Sequence, residues 1–386
     1  MVITFQRGYL PEMHRRLRMC LAPLVLTAVA LASCTGNDGE DDGNRGGGSI
    51  ESLLGEIPAA ANTEPANLTI VAGNLDRAAE LAGVTPFEAD TTTDEMLENI
   101  TLLTGIPRDG KPAIVSMLLP DAVAPRSLSE NDEIRDELGW SIVNVNSFIE
   151  LQSLPYRFAV LRADVAADDI DDAVGASENG IWSLGGADLE QNLRDITPAR
   201  RLGDSLRMAL DDDLLAVSRT TPPIREWLDG ADETLADDEA LSSIAKALDE
   251  ADVYSAMLVV GDFSIVAALG GRGSLEQLEQ ILADSALINP FDALGAGLSV
   301  VDDEPLGTFV YRFGSEADAK AAVESVRAVF EDGTSFVSNQ PLSDMFEVRS
   351  VEANGDVVVA TSSFRDARPG VVWQMINARD LPTAHG

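Results

Sequence analysis

Stretches of alternating apolar and polar residues, rich in valine, predict strands along much of the chain. Such alternation places every second side chain on one face of a sheet. Strands are predicted at 112–119, 156–163, 206–217, 297–301, 307–313 and 346–360. Helical spacing predicts helices at Asp238–Leu248, Ser274–Leu282, Glu316–Phe330 and Gly370–Asn377. Because tight turns join consecutive strands, we expect an α+β fold, with mostly antiparallel sheet and helices packed on one face.

Four short blocks recur in the same order in the two halves of the chain. Leu68–Gly83 aligns without gaps on Ala256–Gly271, which matches Gly73 with Gly261. Three further pairs are Tyr156-Arg157-Phe158 with Tyr311-Arg312-Phe313, a hairpin turn at Asp211–Asp213 with one at Asn354-Gly355, and Pro223–Trp227 with Pro369–Trp373. Ordered repetition is typical of an internal duplication. The sequence therefore predicts two tandem diverged repeats, as an α+β domain over 50–230 and a second over 238–386.

The apolar stretch Val253–Gly271 was tested as a membrane span, because Asp262 is its only charged residue. Its counterpart in the first half carries Asp76, Arg77 and Glu80. Glycines and a central aspartate also disfavour insertion into a bilayer. The stretch is predicted to be a buried strand followed by a helix.

The N-terminal segment has the pattern of an export signal. Basic residues up to Arg18 precede an apolar run of 14 residues, Cys20–Ser33, which is too short to cross a bilayer core of about 30 Å. The run ends in Leu31-Ala32-Ser33-Cys34, which resembles the lipobox of a bacterial lipoprotein. This resemblance implies a signal peptide over 1–33 and a lipid on Cys34, the new N-terminus. Residues before Met13 are superfluous to this pattern, because Met13–Arg18 already makes a complete basic start, but the sequence does not decide between translation from Met1 and from Met13.

Residues 34–49 are predicted to be a flexible acidic, glycine-rich tether. After Cys34 the chain reads TGNDGEDDGNRGGGS, with almost no apolar residues. Such a segment buries too little apolar surface to offset the entropy of ordering. The chain is therefore expected to be extracytoplasmic and held to the cell membrane by the lipid on Cys34.

Charge and composition exclude several function classes. The chain has a formal net charge of −38, and residues 1–33 contribute four Arg and one Glu, so the mature charge is −38 − 3 = −41. Such a surface repels nucleic acids and anionic lipid headgroups, and no nucleic-acid partner is expected. Solubility or a salty habitat accounts for the acidity better than an acidic binding function does.

Cysteine and histidine are almost missing from the mature chain. The two cysteines are Cys20 and Cys34, and the two histidines are His14 and His385. A thiol nucleophile, a disulfide, a Ser-His-Asp arrangement and a zinc site based on histidine or thiolate are therefore excluded from the body. No catalytic residue, cofactor site or metal site is predicted, although carboxylate pairs of the glycosidase type stay possible.

Two glycine-rich loops and four tryptophans were considered as further sites. Gly105–Lys111 has phosphate-loop spacing, but Pro112 follows where Ser or Thr is needed, so a turn is preferred. A plain turn is also preferred for Gly270–Gly273. Trp227 and Trp373, in matching blocks, are predicted to pack in the core. Trp140 and Trp182 lack counterparts, which favours them slightly for a local surface function.

The mature chain resembles acidic secreted or lipid-anchored bacterial envelope proteins of unknown function, of the high-GC Gram-positive type. The resemblance rests on the lipobox and on Leu206–Val260, where a hairpin precedes LADDEALSSIAKALDEADVYSAMLVV. It implies no activity. We expect a non-enzymatic lipoprotein with a binding or scaffolding role, whose protein or small-molecule partner the sequence does not name. The alternatives are a solute-binding lipoprotein of a transporter, with a cleft between two lobes, or a carboxylate-dependent hydrolase.

Overall fold

Eleven strands join in one continuous antiparallel sheet in the computed structural model. It describes residues 48–386 except 64–66, 89, 108–112, 124, 154, 270–285 and 366–367. The signal segment, Cys34, the tether up to residue 47, the predicted helix Ser274–Leu282 and the Gly270–Gly273 loop lie outside the described residues. The strand order across the sheet is β10-β11-β9-β8-β7-β1-β2-β3-β6-β5-β4.

The strands are named in chain order. They are β1 (Leu68–Asn74), β2 (Val145–Ser153), β3 (Tyr156–Ala163), β4 (Trp182–Leu184), β5 (Leu206–Asp211), β6 (Leu214–Ser218), β7 (Ser255–Val260), β8 (Ala293–Val301), β9 (Glu304–Arg312), β10 (Phe346–Asn354) and β11 (Val357–Phe364). The α-helices in the described part of the chain are α1 (Ile50–Leu54), α2 (Leu75–Ala82), α3 (Thr93–Leu103), α4 (Asn131–Leu138), α5 (Ala167–Val174), α6 (Thr221–Asp229), α7 (Glu239–Glu250), α8 (Ile265–Leu269), α9 (Glu316–Asp332), α10 (Leu342–Met345) and α11 (Val371–Ala378).

The predicted α+β class with antiparallel sheet is confirmed. Most predicted elements have counterparts, including α7, α9, α11 and both hairpins. Val253–Gly271 forms β7 and α8 as far as residue 269, and no helix in the described residues is long and apolar enough to cross a membrane.

Residues 112–119 were predicted to be a strand, and this is wrong for the described residues from 113. They form an extended segment outside the sheet, with Val115 and Met117 buried. The backbone amide of Ser116 donates to the Tyr254 hydroxyl oxygen (3.0 Å), and that of Met117 donates to the carbonyl of Leu103 at the end of α3 (2.7 Å). The apolar residues of the segment are therefore buried without pairing with another strand, and Ser116 between them is buried as well.

Helices cover both faces of the sheet, although one face was expected. On the first face, side chains such as Val71, Phe148 and Leu161 pack against helices including α2, α5, α9 and α11. On the second face, Ile70 and Val160 pack against α1, α6 and α7. Strands that are buried on both sides are nearly continuously apolar. Apolar–polar alternation therefore could not reveal the second layer of helices.

Strand order repeats between the two halves. The order β1-β2-β3-β6-β5 corresponds to β7-β8-β9-β11-β10, and β1 pairs with β7 antiparallel at the centre. Gly46–Gly386 form one compact unit, so the halves share a sheet. The duplication and its domain boundaries at 50–230 and 238–386 stay predictions.

Two of the matched sequence blocks do not occupy equivalent places. Tyr156 is the first residue of β3, whereas Tyr311 is near the end of β9. Trp227 packs with the second-face core, whereas Trp373 belongs to the first-face core. These two short matches therefore do not mark corresponding positions, even though they fall on corresponding elements.

Candidate ligand-binding pocket

A pocket lies on the first face of the sheet, where β2, β3, β5 and β6 meet a 3₁₀ turn at Asp121–Val123 and the connection from β4 to β5. We call it the arginine pocket. Its volume is about 70 Å³. Its lining residues are Asp121, Ala122, Glu150, Arg157, Ala159, Ala199, Arg200, Arg201, Asp204, Ser205, Leu206, Val217, Ser218 and Arg219. The lining is thus a small apolar floor surrounded by charged groups.

Glu150 is the buried acid of this pocket. The alternation of β2 turns Glu150 to the same face as Phe148, and its exposed fraction is 0%. Its carboxyl oxygens accept hydrogen bonds from the amide of Ala122 (2.9 Å) and the side chain of Gln152 (3.0 Å). Burial raises the pKa of Glu150 to about 7, because desolvation outweighs these bonds and the charge of Arg157.

Two arginines at the pocket are held by carboxylates. Arg157 forms an ion pair with Asp121, and Arg219 forms one with Asp204 at 2.7 Å. The Nε atoms of both arginines are buried without a hydrogen-bond partner. Each guanidinium therefore has one N–H donor that no protein group satisfies.

The other two arginines come from the β4–β5 connection. Arg200 donates from Nε to Glu137 of α4 at 2.9 Å, and both side chains are largely buried. Arg201 has no ion pair among the described residues. Arg201 is therefore the lining arginine that has no carboxylate partner in the part of the chain that the structure describes.

The charges that line the pocket sum to a positive value. The lining contains four arginines and the carboxylates of Asp121 and Asp204. Their charges sum to 4 − 2 = +2 when Glu150 is protonated and to +1 when it is ionised. Glu137, which lies outside the lining, compensates Arg200; with this carboxylate the sum is 4 − 3 = +1 when Glu150 is protonated and zero when it is ionised. A positive pocket is unusual in a chain of net charge −38, and planar guanidiniums suit carboxylate and phosphate oxygens.

The hydroxyl groups of the pocket have structural partners. Ser205 donates to the carbonyl of Arg219 (3.0 Å), and Ser218 donates to the carbonyl of Arg157 (2.9 Å). Neither hydroxyl faces a general base, so these contacts do not form a nucleophile–base pair. Among the described residues, no cluster of three His, Cys, Asp or Glu could hold a metal ion. The arrangement supports binding of an anion.

A second, larger cavity lies between α10, α11 and the segment before α10. Its volume is about 640 Å³. The buried carboxylate at its wall, Asp380, accepts hydrogen bonds from the Ser335 hydroxyl (2.5 Å) and from the amides of Phe336 (2.5 Å) and Leu381 (2.9 Å). Asp380 thus ties chain segments together, and this cavity is the weaker candidate.

Sequence reasoning did not find the pocket. The one residue it nominated, Cys34, lies outside the described residues. Trp140 and Trp182, favoured for a surface function, are buried, with their indole N–H groups bonded to Met208 Sδ (3.3 Å) and Asp171 (2.7 Å). The available signals were a glutamate inside an apolar strand and a pair of arginines, Arg200-Arg201, in an acidic chain.

The Gly105–Lys111 loop is described in part. Gly105 follows α3 with φ of +83°, a conformation that suits glycine at the end of a helix, and residues 108–112 lie outside the described residues. The preferred assignment of this loop as a turn stays a prediction.

Comparison with known proteins identifies no family. No protein-family model matches the chain, and no curated protein matches it. Among solved structures, crystal form I of TP0453 has 8% sequence identity and a TM-score of 0.32, covering 85% of this chain and 97% of that one. Crystal form IV of TP0453 has 7% identity and a TM-score of 0.36, covering 83% and 96%. The chain is thus distantly similar to TP0453.

Proposed function

We propose that this protein is a lipid-anchored extracytoplasmic binding protein without enzymatic activity, and that the arginine pocket takes a small ligand or head group with a negative charge. The lipobox at Cys34 supports the location. The observation that carries the binding role is the set of four arginines around a floor of Ala159, Leu206 and Val217. Carboxylate and phosphate are the chemical classes that guanidinium donors recognise best.

The small volume of the pocket favours a ligand that places only a few atoms inside it. Sites for drug-sized molecules have volumes of about 300–1,000 Å³. At about 70 Å³, the arginine pocket has room for a head group or a small ion. A longer ligand would leave its remaining atoms at the mouth of the pocket.

The carboxylate-dependent hydrolase is the second candidate, since Glu150 and Asp121 both line the pocket. A glycosidase needs one protonated and one ionised carboxyl with a sugar ring between them. Here Asp121 is held by Arg157, and the cavity is small for a sugar ring. A transporter-type solute receptor is also less well supported, because the two halves share one sheet and the pocket lies within the first half.

Thermal unfolding of the mature protein with acetate, hexanoate and inorganic phosphate tests this function. A ligand at 100 times its Kd stabilises the folded state by about 2.7 kcal/mol. The site variant is Arg201→Gln, which removes a lining cation without breaking an ion pair. The control is Arg225→Gln, an exposed arginine outside this pocket that likewise has no ion pair among the described residues.

We expect at least one anion to raise the melting temperature of the wild type and of Arg225→Gln. Arg201→Gln should need on the order of tenfold more ligand for the same shift, since a hydrogen bond to a charged group contributes about 1.5–3 kcal/mol. Equal responses of both variants would place the anion elsewhere. The absence of a response to all three anions would reject the proposed ligand class.

A further inference from the structure

The connection between β4 and β5 contains a ten-residue loop, residues 193–202, which we call the tip. Its base is closed by an isolated antiparallel bridge between Gln191 and Asp204, and by a hydrogen bond from the Asn192 amide to the Gly203 carbonyl (3.0 Å). The chain leaves and re-enters at nearly one point. Between these points, residues 193–196 and 202 are exposed, whereas 197–201 are half-buried, with Ala199 packed against the core.

Exposed aliphatic side chains are concentrated on this tip. Leu193, Ile196 and Leu202 are 67%, 55% and 49% exposed. The other large exposed hydrophobic residues in the described part of the chain are spread over four separate segments, as Ile106, Val266, Val301 and Val337. Single exposed aliphatic residues are ordinary, whereas a local group of them marks an interaction site.

The tip is also basic. Its residues include Arg194, Arg200 and Arg201 against Asp195, a net charge of 3 − 1 = +2. The rest of the chain therefore carries −38 − 2 = −40. Arg200 is paired with Glu137, but Arg194 and Arg201 have no ion pair among the described residues.

The tip is ordered before any partner arrives. One turn is held by the amide of Asp195 and the carbonyl of Asn192 (2.8 Å), and another by reciprocal backbone bonds between Thr197 and Arg200 (3.2 Å each). The Thr197 hydroxyl also donates to Glu137 of α4 (2.9 Å). Since these contacts fix the loop already, displaying its aliphatic side chains to a partner costs little further entropy.

We propose that the tip docks on a bilayer surface that carries anionic headgroups, with Leu193, Ile196 and Leu202 entering the interface and Arg194 and Arg201 facing the headgroups. Aliphatic and basic residues side by side are the combination that interfacial segments use. Charges more than about 8 Å away are screened at physiological salt, so the local charge of the tip decides this contact.

This inference goes beyond the proposed binding function. Because Arg200 and Arg201 belong to the tip and also line the arginine pocket, docking would place the pocket next to the lipid surface. A test through Leu193 and Arg194 leaves the pocket lining intact, so the two proposals fail independently.

An environment-sensitive fluorophore on the tip tests the docking. The mature chain has no cysteine after Cys34, so Leu193→Cys combined with Cys34→Ser takes a single label of nitrobenzoxadiazole. The matched control is Val301→Cys, a 51% exposed aliphatic beside the acidic turn Asp302-Asp303. Both proteins are placed on vesicles of phosphatidylcholine, with and without phosphatidylglycerol. The readouts are the emission maximum and quenching by nitroxide-labelled lipids.

We expect a blue shift and lipid quenching at position 193 but not at 301, stronger with phosphatidylglycerol and weaker in high salt. Arg194→Glu should weaken the contact by on the order of 10–30-fold, since each charge near the surface contributes about 1 kcal/mol. An unquenched probe at 193 would overturn the proposal. A blue shift that depends on protein concentration and not on lipid would also overturn it, and would identify a second copy as the occupant.

Discussion

Replacing Glu150 with glutamine isolates the effect of one buried carboxyl on folding. The pKa of Glu150 is raised from 4.5 to about 7 in the folded protein, chiefly by burial. Glutamine keeps nearly the same shape and can still accept the Ala122 hydrogen bond, but it cannot ionise. Any contact that glutamine fails to make changes the free energy of unfolding by an amount that does not depend on pH.

The direction of the pH dependence of stability follows because the pKa of Glu150 is higher in the folded state than in the unfolded state. Below about pH 4.5 both states hold the proton, and the stability that the neutral carboxyl contributes is fully present. As the pH rises to about 7, the unfolded state ionises first, and this stability is lost. One pKa unit corresponds to about 1.4 kcal/mol, so a shift from 4.5 to about 7 amounts to about 3 kcal/mol.

Urea unfolding of the wild type and of Glu150→Gln between about pH 5 and about pH 8 measures this effect. The free energy of unfolding of the variant minus that of the wild type should rise by about 2–3 kcal/mol across this range. The control is Glu352→Gln on the exposed side of β10, whose difference should stay within about 0.5 kcal/mol throughout. A flat or falling difference for Glu150→Gln would show that the pKa of the buried carboxyl is not raised on folding, and would refute the reasoning.

Three further outcomes are expected. Acetate binding by the wild type should weaken severalfold from about pH 6 to about pH 8, because Glu150 becomes negative, and titrations of Glu150→Gln should lack this dependence. Gly295→Val should lower the free energy of unfolding by about 1–3 kcal/mol, because a Cβ there lies 2.2 Å from the Ile244 side chain on α7. Gly314→Ala should change it little, because a Cβ there lies 4.0 Å from Asp318 Oδ2, an ordinary contact; urea titrations compare the two. Cys34→Ala should leave the precursor uncut or release the protein from the membrane fraction, and normal processing with normal membrane retention would contradict the lipidation.

Chelator and reductant should leave the melting temperature of the mature protein unchanged. The body has no thiol after Cys34 and no histidine before His385. A large drop with chelator would show that acidic residues hold an ion that stabilises the fold.

Local pattern was enough to predict the hairpins and the long helices. The turns at 211–213 and 354–355 and the helices α7 and α9 depend on neighbouring residues, so composition and periodicity indicate them directly. The side of the sheet that a helix covers depends on distant contacts. Trp227 and Trp373 show this, because the same short motif leads to opposite faces.

The arginine pocket could not be assembled from sequence, because its parts come from four separate stretches of the chain. Asp121 precedes β2 by more than twenty residues, and Arg219 directly follows the β5–β6 hairpin. No fixed spacing links them. The raised pKa of Glu150 depends on how completely these stretches exclude water, which is a property of the packing and not of any motif.

The two ends of the sheet bear on how such a protein tolerates crowding. A row of unpaired backbone groups at an edge strand is a template for joining another molecule. Here one edge, β4, has only three residues, and the other, β10, bears Glu347, Arg349 and Glu352 and has a register break between Val348 and Ser350. Under the proposed anchoring at Cys34, molecules would be confined to a membrane plane and would meet often and side by side. Short and charged edges would keep those encounters from growing into aggregates.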